Sequence, residues 1–387
     1  MPCPSLPAED LDHVLAHTRD LWEALRGGRL FLTGGTGFFG AWLVESFLWA
    51  NDRLDLRAGL RVLSRDPQWF LARMPHLADR PGLSFSTGDV CDFAFPTGSF
   101  SHVIHAATES GTRLGRENPL AMLDTIVHGT QRTLDFAVKC GAQRVFLTSS
   151  GAVYGQQPPE MAHVPEDYRG APDVTDLHSS YGEGKRLAEH LGVQYAAEHG
   201  FDFLIARCFA FVGPHLPLEA HFAVGNFLRD ALAGGPIVVA GNGTPYRSYL
   251  YAADLAIWLW TILFRGTSCR PYNVGSDVAV RIAEVAAAAS RLLVPAGEVR
   301  ILQSASDGQR PSRYVPCVER VRTELGLHVY IGFDEALRRT FSWHRLDRNG
   351  AVARCMPSTN GVVAPSSAGT PDGIPSHVIE RKEPCPS

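Results

Sequence analysis

With 387 residues, 45% of them hydrophobic and 20% charged, the chain can bury a large core, either as one big domain or as two lobes sharing a cleft. Its 36 Lys and Arg against 40 Asp and Glu leave a net charge of −4 with no long run of either sign, which argues against a nucleic-acid or membrane-surface partner. The eight cysteines are scattered, without a CxxC pair or a His/Cys cluster, so no metal site is expected and the thiols are read as reduced.

Residues 1–28 open Pro-rich and then carry apolar residues at helical spacing (Leu11, Val14, Leu15, Leu21, Leu25), which predicts an amphipathic helix covering a sheet edge. No basic region followed by an apolar core precedes it, so a secretory signal is not expected and the predicted location is cytoplasmic. From residue 29 to 212 strand-like runs alternate with helix-length stretches: Arg29–Thr33, Leu60–Leu63, Leu83–Ser86, His102–Ala106, Arg144–Thr148 and Phe203–Ala206. That rhythm predicts an α/β fold with a doubly wound parallel sheet, a Rossmann fold, whose ligands lie at the carboxyl ends of the strands. Residues 213–345 loosen into turns and short apolar runs, read as a smaller C-terminal substrate-binding lobe; Leu255–Phe264 is too short to span a bilayer and is read as a buried helix. Residues 346–387 turn to Ser, Pro, Gly and Thr, the composition of a disordered tail.

The first strand runs into Thr33-Gly34-Gly35-Thr36-Gly37-Phe38-Phe39-Gly40. Glycines three apart there suit a tight turn, close approach to a pyrophosphate and a helix lying close on the strand, with the free N–H groups of that helix facing an anion. Ser64-Arg65-Asp66 ends the second strand, where a carboxylate would accept from the ribose of NAD and an arginine would accommodate the 2′-phosphate of NADP; Ser64-Arg65 leans toward NADP. Asp89-Val90 can meet the adenine or form a plain Asx turn. Ala106 and Ala107 end the fourth strand with small residues that suit passage of the dinucleotide, and His105 is read as a packed strand histidine. Thr148-Ser149-Ser150 closes the fifth strand, and Tyr181 and Lys185 follow four apart on one helix face. A tyrosine titrates at about 10, so it is a base at neutral pH only beside positive charge, which Lys185 and an oxidised nicotinamide would supply; Ser150 can bond the same substrate hydroxyl.

The glycine turn, Ser149-Ser150-Gly151-Ala152-Val153-Tyr154-Gly155 and Tyr181-Gly182-Glu183-Gly184-Lys185 resemble an extended short-chain dehydrogenase/reductase, and more narrowly the NAD-dependent epimerase/dehydratase family acting on nucleotide sugars. The likeness continues through Arg207–Pro214, Tyr246–Ala256 and Tyr272–Ser276. It implies an enzyme in which Tyr181, Lys185 and Ser150 oxidise the sugar at C4. The dinucleotide would lie on Gly34, Thr36, Gly37, Phe38, Phe39, Gly40, Ser64, Arg65, Asp89, Val90, Ala106, Ala107, Thr148, Tyr181 and Lys185. Ser149 and Ser150 would meet the sugar, and Arg247 would meet the nucleotide phosphates with Asn226 and either Arg310 or Arg313. A homodimer is implied as well.

Relatives that dehydrate or decarboxylate carry acids just after the Ser/Thr, where this chain has Gly151 and Ala152; small residues there resemble the epimerases. The reading is therefore an NAD(P)-dependent C4 epimerase. The alternatives are a 4,6-dehydratase using Glu160, Glu166 or His178, an NADPH-dependent 4-ketosugar reductase, or a dinucleotide-binding sensor without catalysis.

Overall fold

The structure is a computed structural model and describes residues 3–108, 118–219, 222–304 and 310–355. Seven parallel strands form its main sheet: β1 (Arg29–Thr33), β2 (Gly59–Ser64), β3 (Leu83–Thr87), β4 (His102–His105), β5 (Arg144–Ser150), β6 (Asp202–Cys208) and β11 (Pro271–Val274). Their order is β11-β6-β5-β4-β1-β2-β3, reversing direction at β1 and β4. The period of two along each strand sorts side chains between two cores. Leu30, Leu32, Ile104, Phe146, Leu204 and Ala206 enter one; Phe31, Val103, Val145, Leu147, Phe203 and Ile205 enter the other.

The first core is covered by helices α1 (Ala8–Thr18), α2 (Phe38–Arg53) and α7 (Ala252–Arg265), the second by α4 (Pro119–Cys140) and α5 (Ser180–His199). Local chemistry fixes their ends. Asp66 and Asn118 cap α3 (Pro67–Arg73) and α4, each followed by a proline at the first helical position. Gly141 and Gly200 close α4 and α5 in the left-handed conformation.

The smaller lobe is made of paired short strands and helices. β7 (Phe211–Val212) lies parallel to β10 (Leu250–Tyr251), and β8 (Ile237–Val239) parallel to β13 (Val299–Ile301). β9 (Tyr246–Arg247) sits between β12 (Val280–Arg281) and β14 (Arg313–Tyr314). Helices α6 (Ala223–Leu232), α8 (Ile282–Ser290), α9 (Glu319–Leu325) and α10 (Phe333–Cys355) complete it.

The structure differs from the sequence expectation at three points. The 213–345 lobe is not contiguous: α7, buried from Ala252 to Leu263, and β11, parallel to β6, belong to the Rossmann layers. Helix α1 packs against α2 and α7 rather than along a sheet edge, with Asp10 accepting from the Tyr251 hydroxyl at 2.6 Å and His13 paired with Asp254 at 3.2 Å. Helix α10 continues to Cys355, past the expected start of the tail at 346, and residues 356–387 lie outside the described residues. Among the described residues no helix is long and apolar enough to cross a membrane, and no group of His, Cys, Asp and Glu could hold a metal ion.

Candidate active site

The site forms where the sheet changes direction, at the carboxyl ends of β1, β4 and β5. After Thr33 the chain turns through Gly34, whose φ of 74° suits glycine alone. A Cβ there would stand 2.4 Å from the Ala106 carbonyl carbon, and one on Gly40 would stand 2.3 Å from the Gly34 oxygen. Both glycines therefore let β1, β4 and α2 close on one another. Gly37 differs: a Cβ on it would meet only the Gly34 oxygen, at 3.5 Å, so the turn is open on that side. Gly37 precedes α2 with no side-chain cap, leaving first-turn N–H groups for an anion. This cradle fits a dinucleotide pyrophosphate. Thr36 and Phe38 flank it half-buried, while Phe39 turns inward, edge-on to Phe211 at 5.1 Å.

At the end of β2, Ser64 is buried and Arg65 and Asp66 are exposed. The Asp66 carboxylate accepts the Trp69 N–H at 2.9 Å to cap α3, which commits it to the helix. Gly88 donates to the Ser64 carbonyl at 3.1 Å, bringing Asp89 alongside. Asp89 makes the Asx turn, accepting from the Cys91 N–H at 3.0 Å, and Val90 is buried against Gly129 of α4.

Ala106 donates to the Thr33 carbonyl at 3.2 Å, and Ala107 to the Thr33 hydroxyl at 3.2 Å. His105 is the packed histidine expected: its ring bonds Thr33 at 2.8 Å and Thr130 at 3.1 Å, and burial with the Lys185 charge nearby lowers its pKa to about 3.

Ser150 is buried at the end of β5 and accepts the Ala152 N–H at 3.1 Å, closing the turn Gly151–Tyr154. Two phenols stand near enough to act on its hydroxyl electrostatically, Tyr181 from the first turn of α5 and Tyr314 from β14, the latter donating to the Cys208 carbonyl at 3.5 Å. Burial raises Tyr181 to about 12, with the Ser150 contact pulling the other way. Lys185, one helical turn on, is buried and lowered to about 8 for the same reason. Its ammonium donates to the Thr108 hydroxyl at 2.6 Å and the Thr148 carbonyl at 2.8 Å, which anchors it beside the strand ends.

Tyr314 is the site residue that motif reading missed. Strand pairing puts it opposite Arg247, itself half-buried on β9, and its ring lies 4.6 Å from that of Phe209. A Cβ on Gly151 would stand 2.8 Å from the Tyr314 hydroxyl and 2.7 Å from Phe209 Cζ. The space an acidic side chain would need at 151 is taken by these two rings.

The other residues expected to contact the sugar or phosphates make the following contacts within the protein. Ser149 donates to Glu189 at 2.5 Å, facing a buried network and not the sugar side with Ser150. In that network Arg207 grips Glu189 with two bonds, at 3.0 and 2.7 Å, and reaches the Tyr154 hydroxyl at 3.0 Å; Tyr154 in turn donates to Asn273 at 2.7 Å. Glu166 is buried and accepts the Asn273 N–H at 3.0 Å, while Glu160 and His178 are exposed, His178 beside Asp176. Asn226 accepts from Arg229 at 3.3 Å. Arg313 lies over the Tyr246 ring at 4.2 Å, and Arg310 is exposed.

Comparison with known proteins finds relatives over most of the chain. The model of the NAD dependent epimerase/dehydratase family matches residues 30–275. UDP-glucuronic acid decarboxylase 3 of Arabidopsis thaliana is 28% identical over 309 residues, covering 80% of this chain and 86% of that protein. A dTDP-glucose 4,6-dehydratase of Streptomyces venezuelae, solved with NAD bound, superposes with a TM-score of 0.71 at 25% identity, over 83% of this chain and 98% of that one. The UDP-glucose 4-epimerase of Thermotoga maritima shares the fold, with a TM-score of 0.69 at 19% identity over 83% and 99% of the two chains.

Proposed function

The chain belongs to the NAD-dependent epimerase/dehydratase family of nucleotide-sugar enzymes, and from that premise we propose that it is a nucleotide-sugar C4 epimerase. The observation that carries this reading is the filled space at Gly151. Tyr181, Ser150 and Lys185 supply what oxidation at C4 needs. The places just after Ser150 where an acid and base for protons at C5 and C6 would be expected hold Gly151, packed by Tyr314 and Phe209, and Ala152, while Glu166 accepts the Asn273 N–H and Glu160 and His178 are exposed.

In this mechanism Tyr181 takes the proton of the C4 hydroxyl, and Ser150 holds that hydroxyl within reach by sharing its hydrogen bond. A half-buried phenol raised to about 12 needs added positive charge to act at neutral pH, which Lys185 provides in part as an ammonium held by Thr108 and Thr148. The bound nicotinamide would supply the redox chemistry, accepting and returning the hydride. Tyr181 then returns the proton after the 4-keto sugar has presented its other face. Arg247 would grip the nucleotide phosphates as a planar, permanently charged donor. The dinucleotide is NAD or NADP: Asp66 is committed to capping α3 and Arg65 is exposed at the ribose end, an arrangement that favours tolerance of a 2′-phosphate.

The likeness to UDP-glucuronic acid decarboxylases supports a second reading. On a hexuronic acid, the same C4 oxidation makes a β-keto acid, which loses carbon dioxide without a further acid at 151 or 152. Incubating the purified protein, without added cofactor, with nucleotide hexoses and hexuronic acids in heavy water separates these outcomes by NMR. Inversion at C4 without deuterium is expected. A 4-keto-6-deoxy product with deuterium at C5 or C6 would make the enzyme a dehydratase, and a pentose product would make it a decarboxylase.

A further inference from the structure

Lys185 is one of three lysines in the chain, with Lys139 and Lys382, and it is only 2% exposed. An ammonium taken that far out of water needs acceptors for its three N–H donors, and a carboxylate would be the strongest of them. Its hydrogen-bond partners among the described residues are instead two neutral oxygens at separate strand ends. One is the Thr108 hydroxyl just beyond β4, at 2.6 Å; the other is the Thr148 carbonyl of β5, at 2.8 Å. The acid one turn further along α5, Glu189, gives its carboxylate to Arg207 and Ser149.

The two acceptors differ in kind. The Thr148 carbonyl is main chain and any residue there would supply it, whereas the Thr108 oxygen belongs to a side chain. Its own hydrogen is accounted for: the hydroxyl donates to the Ala107 carbonyl at 2.7 Å, which leaves its lone pairs for Lys185. Ala107 in turn donates its N–H to the Thr33 hydroxyl at 3.2 Å, tying this stretch of chain to the end of β1. We propose that Thr108 is a positioning residue: its hydroxyl, committed as a donor to Ala107, accepts from the Lys185 ammonium and fixes it against the end of β5, one helical turn from the Tyr181 phenol. Two of the three ammonium hydrogens are then held by Thr108 and Thr148, and one is left for an oxygen of the cofactor or the substrate. This role rests on the reading of Lys185 as the charge that assists Tyr181.

The other titratable groups around Lys185 keep their charge from about pH 6 to 10. Burial holds His105 of β4 neutral, lowered to about 3, and Cys208 of β6 protonated, raised to about 12. Burial also raises Tyr181 to about 12 and raises Tyr314 as well, while Glu189 stays in its pair with Arg207. Lys185, lowered to about 8 by burial, is the member of this cluster that changes charge in that range. Replacing the Thr108 hydroxyl by a methyl group takes away an acceptor that favours the charged amine, so the ammonium should give up its proton more readily still.

The test is NMR of the full chain as purified, labelled with carbon-13 at the lysine ε-carbons, with the three signals followed from about pH 6 to 11. Lys185 is expected to titrate at about 8, below the ordinary lysine value of about 10.4. Thr108→Val should move that midpoint down by about one pH unit or more, and Thr108→Ser, which keeps the oxygen, should hold it. The Lys139 and Lys382 signals should not differ among the variants. The alkaline limb of kcat, measured on whichever nucleotide sugar is turned over, should shift with the Lys185 midpoint. A Lys185 signal that titrates in Thr108→Val where it does in the native chain would overturn the proposal, as would a native Lys185 at the ordinary value. Should Thr108→Val not fold, Thr108→Ala removes the same oxygen and is judged by the same shift. If no nucleotide sugar is turned over, the functional reading falls, and the titration still decides the role of Thr108.

Discussion

The Tyr314 hydroxyl stands 2.8 Å from where a Cβ on Gly151 would lie, so these two residues, 163 positions apart in sequence, are fitted to each other. Gly151→Ala forces the phenol or the neighbouring Phe209 ring to move. It is expected to cost about tenfold or more in kcat, since small misplacements near reacting groups are expensive. Tyr314→Phe removes the clashing oxygen and should partly rescue Gly151→Ala. A double-mutant cycle on kcat measures this coupling, and strict additivity would mean that the two do not share the site.

Tyr181→Phe keeps the ring and removes the proton carrier. Loss of about 10² to 10⁴ in kcat is expected with substrate affinity largely kept, read from steady-state kinetics and from titration of the nucleotide sugar. A variant with near-normal kcat would transfer the base role elsewhere, with Tyr314 the first residue to examine.

Arg65 decides the cofactor in the proposed reading. Arg65→Ser is expected to weaken NADP binding by about tenfold and to leave NAD binding unchanged, measured by calorimetry on cofactor-free protein. Equal effects on both dinucleotides would remove Arg65 from the ribose site.

His105 makes stability depend on pH. In the unfolded chain it binds a proton at about 6.5, whereas in the folded chain it stays neutral down to about 3. Between these values the unfolded state holds more protons, so stability falls as pH drops, by up to about 1.4 kcal/mol per pH unit for one group. Urea unfolding from pH 6.5 to 4.5 should show a steeper fall for the native chain than for His105→Gln, even though the variant starts from a lower stability.

Breaking the network under the site should cost stability before it costs chemistry. Glu189→Ala leaves the largely enclosed Arg207 guanidinium without its carboxylate partner, and about 3 kcal/mol of destabilisation is expected from chemical unfolding. Ser149 loses its acceptor with it, and Tyr154 is bonded to the same Arg207, so the effect should not add to that of Tyr154→Phe.

Much of this was legible in the residues because local signals carry it. The six expected strands appear within a residue or two of the runs Arg29–Thr33 to Phe203–Ala206, since each is a short apolar stretch bounded by turn chemistry. The glycine turn, Ser150, Tyr181 and Lys185 were readable because their order along the chain is distinctive. Tyr314 was not, because its place depends on β14 pairing with β9 some 67 residues away, and nothing in Arg313-Tyr314 itself announces that pairing. The seventh strand was hidden for a related reason: Pro271–Val274 is short and follows lobe segments, and only its pairing with β6 makes it part of the sheet. Ser149 and Ser150 look equivalent in sequence, and the strand's alternation sends one hydroxyl to Glu189 and leaves the other at the site.

The return of β11 to the main sheet has a consequence for how the molecule unfolds. The chain leaves the Rossmann layers at β7, builds part of the lobe, comes back through α7 and β11, and departs again for α8, β14 and α10. Helix α10 then reaches the first helix, where Arg339 pairs with Asp10 at 2.5 Å. Neither lobe is a continuous length of polypeptide, so neither can be cut out with its own core intact. Calorimetry should therefore record one heat-absorption peak for both, and a protease that nicks the lobe once should release no folded fragment.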